Sequence, residues 1–299
     1  MVQGRIELPG ERRAFATVTH LPLLARLRIG PPETPPEERN RTVRRLAAWA
    51  DEAIEFLAGQ KFHGSIEFRL ADGTTAGAAF DTRQDVFPDF ADAERRGGYA
   101  PAESALLERL LPRTGIFWDV CAGWGYFSWL AATHPGFTGV AVCFENAPAL
   151  LADIERIRIA MGRPQGVRVE RFALSDETTR GTGAKSDPRA LSRMDDLRLS
   201  PPDLIRLDAR ADLRGAVEGG VSTIRRNRPA ILYSYSDPFS DDVEIVADLL
   251  AGNEYRFHTV TLADGKLALD PVNPARPEHL PRSAVLFAAT PSRMTGLIG

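Results

Sequence analysis

The chain has 299 residues, 43% hydrophobic and 26% charged, with 25 glycines and 22 prolines, the composition of a globular protein large enough to bury a core unaided. A net charge of −3 argues against electrostatic nucleic-acid binding as the main task. Two cysteines, Cys121 and Cys143, cannot make a disulfide framework. No apolar run nears the roughly 18 residues that a bilayer requires, and the charged N-terminus does not look like a signal peptide. A cytoplasmic setting is the expectation. Lys61, Lys185 and Lys266 are the only lysines, so 34 of the 37 basic residues are arginine; a GC-rich genome explains this more simply than phosphate recognition.

In chain order, residues 31–38 (PPETPPEE) read as a linker or stiff turn. Residues 39–58 follow as a helix, with Val43, Leu46, Ala47, Ala50, Ile54 and Leu57 on one face. Two strand-like runs, Ser65–Leu70 and Thr75–Phe80, flank Ala71-Asp72-Gly73-Thr74, a hairpin signal. Residues 1–95 are therefore expected to form an α+β extension or cap, and residues 96–299 one further domain.

From residue 100 helices and strands alternate. Helices are expected at Pro101–Leu111, Gly125–Thr133, Pro148–Met161, Gly215–Asn227 and Asp241–Ala251, the last capped by Ser240, with Asp241 and Glu244 at capping-box spacing. Strands are expected at Gly115–Val120, Thr138–Phe144, Val167–Leu174, Asp203–Leu207, Ala230–Tyr235, Tyr255–Leu262 and Ala284–Ala289. Such alternation implies an α/β fold, a seven-stranded, mostly parallel sheet with helices on both faces. The last two strands lack a full helix between them, so an antiparallel C-terminal edge is expected. Ligands on such sheets bind beyond the carboxyl ends of the strands.

Three of those ends carry acids. The first strand runs into Asp119-Val120-Cys121-Ala122-Gly123-Trp124-Gly125, whose glycines admit a ligand close to the backbone. The helix behind it suits a carboxylate or phosphate, and Asp119 suits a cationic or hydroxyl-bearing group. Glu145, followed by Asn146, ends the second strand, where an acid can hold ribose hydroxyls. Leu174, Ser175 and Asp176 end the third, with Asp176 placed for an adenine amino group. The ordered set outlines a nucleoside site. For a nicotinamide dinucleotide the Gly123-x-Gly125-x-x-Ser128 turn is a near miss, and Asp119 would repel a pyrophosphate. S-adenosyl-L-methionine, with a carboxylate, an ammonium and a sulfonium, fits the charge pattern better.

These residues resemble the FkbM-type S-adenosylmethionine-dependent methyltransferases, over about Phe80 to Ala289. Asp119–Phe127 (DVCAGWGYF) is the counterpart of that family's Asp-Val-Gly-Ala-Asn-x-Gly-Tyr-Phe turn. Phe144-Glu145-Asn146-Ala147-Pro148, Ala173–Asp176 (ALSD), Met194–Leu197 (MDDL), Asp203–Asp208 (DLIRLD), Gly219 with Arg228-Pro229, and Gly98–Glu103 (GYAPAE) resemble further blocks of it. The resemblance implies a Rossmann-like class I methyltransferase fold and O-methylation of a hydroxyl on a small molecule or sugar, without nucleic acid or membrane. The sequence leaves open whether residues 1–95 form a lid or the arm of a homodimer. Cys121 stands where the family has Gly, and Gly123 where it has Asn. After the fourth strand the family's acidic run is rewritten, with Arg210, Ala211 and Leu213 replacing an acid, a Gly and a second acid, and Ser234 stands where the fifth strand tends to end in Glu.

The expected catalytic base is Asp208, at the end of the fourth strand, with a helix N-cap as its plainer role. Arg210 would bind an anionic acceptor or pair with a surface acid, and Tyr233, Tyr235 and Asp237 would line the acceptor pocket. Cys121, Ala122 and Trp124 belong to the expected cofactor turn, Trp124 either stacking near the cofactor, capping the helix or packed in the core. The histidines and cysteines show no ligand spacing, so no metal is expected. Asp195-Asp196 reads as a cap or turn. Two alternatives stand beside the methyltransferase: a catalytically inactive methyltransferase-like binding or partner protein, and a nicotinamide-dependent oxidoreductase.

Overall fold

The computed structural model describes residues 5–8, 17–20, 62–69, 75–82, 99–162, 165–179, 190–235, 237–263, 266–281 and 284–298. The expected linker at 31–38, the helix at 39–58 and the 71–74 turn lie outside the described residues. The chain divides into two compact units, one of Met1–Arg13, Pro101–Ile154 and Arg163–Gly299, the other of Ala14–Ala100 and Glu155–Gly162.

The first strand, β1 (Ile6–Leu8), belongs to the larger unit and pairs antiparallel with a strand near the C-terminus. The smaller unit contains an antiparallel sheet of β2 (Thr17–His20), β3 (Phe62–Arg69) and β4 (Thr75–Thr82), in that order. Arg69 pairs with Thr75, so the two expected strands do fold back on each other.

The chain continues with α1 (Pro101–Leu110), β5 (Ile116–Val120), α2 (Tyr126–Thr133), β6 (Val140–Phe144), α3 (Pro148–Ala160, whose residues from Glu155 on are counted with the smaller unit), β7 (Val167–Glu170), β8 (Ala173–Leu174) and β9 (Leu191–Ser192). It then runs through β10 (Leu204–Leu207), α4 (Leu213–Glu218), α5 (Val221–Asn227), β11 (Ala230–Tyr235), α6 (Asp241–Ala251), β12 (Arg256–Ala263), β13 (Lys266–Val272), β14 (Ala284–Ala289) and α7 (Pro291–Ile298). The main sheet has nine strands, ordered β1-β13-β12-β14-β11-β10-β5-β6-β7. β7, β6, β5, β10 and β11 run parallel. β14 lies antiparallel between β11 and β12. This is a Rossmann-like, mostly parallel α/β sheet, as expected. The order reverses between β5 and β10, which opens a crevice at their carboxyl ends.

Alternation along the strands separates two faces. Trp118, Val120, Val142, Phe144, Ile205, Leu207, Ile231 and Tyr233 join one apolar core with Leu213 and Val217 of α4 and Val243, Val246 and Leu250 of α6. Phe117, Asp119, Ala141, Cys143, Leu204 and Arg206, on the opposite face, are also buried. The near-continuous apolar runs of β6 (VAVCF) and β11 (AILYSY) reflect this burial on both sides.

Several expectations need correction. The run Val167–Leu174 is not one strand: β7 ends at Glu170, and β8 pairs with β9 in a separate parallel ladder. The helix expected over Gly215–Asn227 is two helices broken at Gly219-Gly220. Gly219 sits so close to the carbonyl of Ser175 that no Cβ would fit, and its own carbonyl accepts the Asp195 N–H at 2.9 Å. The sheet has nine strands rather than seven, because β1 and β13 were not foreseen; Pro271 inside β13 masks a strand signal. The C-terminal strands do form the antiparallel end of the sheet, with β14 between β11 and β12 and with β13 and β1 added outside β12. α6 is capped by Ser240, whose hydroxyl accepts the Asp242 N–H at 3.3 Å. Asp195 caps α5 by accepting the N–H groups of Ser222 and Thr223 at 3.0 and 2.7 Å.

Candidate active site

The turn after β5 takes positive φ at three alternate residues, Cys121 (55°), Gly123 (62°) and Gly125 (85°). Glycine adopts this conformation freely, whereas a side chain costs about 1–2 kcal/mol there. Cys121 therefore occupies a position whose backbone asks for glycine. The Ala122 N–H donates to the Phe144 carbonyl at 3.0 Å and the Gly125 N–H to the Ala122 carbonyl at 2.9 Å. At Gly125 a Cβ would meet the Trp129 indole nitrogen at 2.8 Å. Trp124 is buried and packs edge-on against Tyr126, ring centroids 5.3 Å apart, so the core alternative holds for it.

Glu145, buried at the end of β6, accepts three backbone N–H groups, from Gly123, Asn146 and Ala147, each at 2.9 Å. Burial raises its pKa, while those three bonds and the Arg210 charge pull the other way. Beyond β8 the Ser175 hydroxyl lies 3.1 Å from the Asp212 carboxylate and 3.2 Å from that of Asp176. Asp176 is exposed, and Leu174 belongs to the core.

Under the turn lies a polar cluster that sequence reasoning missed. The buried guanidinium of Arg206 donates from Nε to Glu103 at 2.7 Å, from Nη1 to Asp119 at 3.1 Å and from Nη2 to Asp208 at 2.7 Å. Its Cζ stands 3.9 Å from the centroid of the Phe127 ring. Asp119 also accepts the backbone N–H and hydroxyl of Ser128, at 3.1 and 2.9 Å. Asp119 is 0% exposed, so it supports the turn from beneath and does not meet a ligand's cationic end as expected. Burial raises the pKa values of Glu103 and Asp119, against the lowering effect of Arg206. The available signal was a single charged residue, Arg206, inside the apolar strand Leu-Ile-Arg-Leu.

Asp208 is held at both oxygens. Oδ2 accepts from Arg206, and Oδ1 accepts the Arg210 backbone N–H at 3.1 Å and its Nε at 2.8 Å. Burial opposes its charge, but the Arg206 and Arg210 guanidiniums outweigh that and hold its pKa at about 2. So weak a base, with both oxygens engaged, is badly placed to take a proton. Arg210 pairs with Asp208 rather than with Asp212, and its guanidinium lies over Gly123: a Cβ there would be 2.9 Å from Nη2 and 3.9 Å from Nη1.

The residues expected to line the acceptor pocket are otherwise engaged. Tyr233 is fully buried in the apolar core, and Tyr235 donates its hydroxyl to the Pro281 carbonyl at 3.0 Å. Asp237 accepts the Phe239 N–H at 3.0 Å and shapes the loop after β11. The strands place these side chains inward or in the turn because the β11 period is fixed by core packing. Burial, reinforced by nearby carboxylates, pushes the Cys121 thiol up to about 12, and burial also raises Cys143, which disfavours the thiolate form of both. Among the described residues, no group of three or more His, Cys, Asp or Glu stands together as a metal site, and no helix is long and apolar enough to cross a membrane.

No family model and no curated protein matches the chain. Solved structures do. Precorrin-6y C5,15-methyltransferase from Geobacter metallireducens GS-15 aligns at 17% identity and TM-score 0.38, over 62% of this chain and 88% of its own. Methyltransferase FkbM from Methylobacillus flagellatus KT aligns at 12% identity and TM-score 0.42, over 69% of this chain and 59% of its own. A Streptococcus pneumoniae protein assigned provisionally as a tRNA (m1A22) methyltransferase, solved in complex with S-adenosyl-L-methionine, aligns at 12% identity and TM-score 0.38, over 63% and 72%.

Proposed function

We propose that the chain is an S-adenosylmethionine-dependent methyltransferase acting on a hydroxyl of a small molecule or sugar. The observation that carries this is the joint placement of the positive-φ turn at 121–125 and Glu145 at the end of the adjacent strand, at the reversal of strand order. The residues fit the cofactor. Glu145 has three of its roughly four acceptor positions filled and one left for a ribose hydroxyl, and Asp176 is exposed for an adenine amino group. The Gly123-x-Gly125-x-x-Ser128 turn lacks the third glycine of a dinucleotide fingerprint, which disfavours the oxidoreductase alternative.

The bound cofactor supplies an electrophilic methyl group. This chain's residues supply position, which alone can be worth several kcal/mol when the acceptor is held in line. Asp208 then acts as an anchor for Arg206 and Arg210, not as the base. Calorimetry with S-adenosylhomocysteine tests the cofactor half: saturable binding is expected below millimolar concentration, and Glu145→Ala should weaken it by about 1–3 kcal/mol. Absence of binding to folded protein overturns the proposal. Labelled methyl transfer to a panel of hydroxylated small molecules, sugars and RNA tests the acceptor half. Transfer to RNA overturns the acceptor class, and cofactor binding without any transfer favours the non-catalytic binding protein.

A further inference from the structure

If S-adenosylmethionine binds at this turn, its α-carboxylate needs a cationic or amide partner. The start of α2 would ordinarily serve, but the Ser128 N–H in its first turn donates inward to Asp119, and the Gly125 N–H is spent on the Ala122 carbonyl. The surroundings are acidic: Glu145 and Asp208 both border the turn, and each feels the Arg210 charge. A carboxylate arriving there needs a compensating cation.

Arg210 is built for that place. Its Nε and backbone N–H both hold Asp208 Oδ1, which fixes the orientation of the guanidinium. The terminal nitrogens then lie over Gly123, Nη2 nearest. The side chain is 45% exposed, so it is open to a ligand from solvent. A planar, anchored guanidinium is the group best matched to a carboxylate, and lysine does not reproduce that fork. Glycine at position 123 also leaves room for the guanidinium to lie against the turn, since a Cβ would be only 2.9 Å from Nη2.

We propose that Arg210 is the receptor for the carboxylate of the cofactor's amino-acid end, held in place by Asp208 across the Gly123 turn. This rests on the cofactor reading above and assigns Arg210 to the cofactor rather than to the acceptor.

The test compares two nucleosides by calorimetry: S-adenosylhomocysteine, and 5′-methylthioadenosine, which keeps the adenosine thioether but lacks the amino-acid end. Arg210→Met should weaken S-adenosylhomocysteine by roughly 10- to 100-fold, the loss of a charged hydrogen-bonding partner. It should leave methylthioadenosine within about twofold, a control for an intact turn. Arg210→Lys should recover only part of the loss. Unchanged affinity for S-adenosylhomocysteine in Arg210→Met overturns the assignment, as does an equal fall for both nucleosides. Failure of the wild-type protein to bind either nucleoside overturns the cofactor reading itself, and the inference with it.

Discussion

On one face of the main sheet Val120, Phe144, Leu207 and Tyr233 stack into an apolar layer with residues of α4 and α6. On the other, one residue back along β5 and β10, Asp119 and Arg206 sit in a buried charged cluster with Glu103 of α1 and Ser128 of α2. The strands, register and burial are the same, yet the chemistry is opposite. The apolar face stabilises in rough proportion to area, and its members are individually replaceable. The charged face stabilises only while its partners are complete, because each ion left without its counter-ion keeps the full cost of its burial. What the charged face gains is geometry. Arg206 ties α1, β5 and the end of β10 to one point beneath the turn, and Asp208 carries that order out to Arg210.

The sharpest way to break this contrast is Arg206→Met. It leaves Glu103, Asp119 and Asp208 without their shared cation and should cost about 3–5 kcal/mol, read from the urea midpoint. A loss below about 1 kcal/mol would mean the two faces are equivalent in kind.

A middle-sized effect concerns pH. Asp208 has its pKa lowered from 3.8 to about 2 in the folded chain. Its contribution, on the order of 2 kcal/mol, is therefore present above pH 4 and is lost as pH falls through about 2. Glu103 and Asp119 have raised values, so their proton-linked contribution has the opposite sign: present at low pH and lost as pH rises through their folded values. Comparing wild type with Asp208→Asn in urea titrations from pH 5 to pH 2 isolates the first term. The stability difference should shrink as the solution is acidified, and a difference independent of pH would refute the depressed value.

The smallest effect is expected on the apolar face. The Tyr233 hydroxyl is buried with no hydrogen-bond partner among the described residues. Removing it relieves an unsatisfied polar group, so Tyr233→Phe should stabilise by about 1 kcal/mol in thermal melts. Destabilisation by that variant would show that the hydroxyl has a use the packing does not reveal.

Much of the proposed cofactor site was legible in the chain because its signals are local. Glycines at 123 and 125 answer to backbone torsions of the same residues, and Glu145 follows directly on an apolar strand. The acceptor side of the proposed site was less legible. Tyr233 and Tyr235 look like pocket residues at a strand end, but their side chains follow the two-residue period of β11 into the core. Asp208 looks like a base until the two guanidiniums that hold it are placed around it.

By itself the sequence determined the alternation of helices and strands, the parallel sheet and the turn at 121–125, since periodicity and glycine placement act over a few residues. Tertiary structure alone decided the rest. β14 slots between β11 and β12, although β12 and β13 precede it in the chain, and Gly219 is required by the Ser175 backbone against which it rests. Arg206 meets Asp119 and Glu103 across 87 and 103 residues of chain. No local pattern encodes such a meeting: the charge becomes tolerable in the core only once the fold has brought its counter-ions to it.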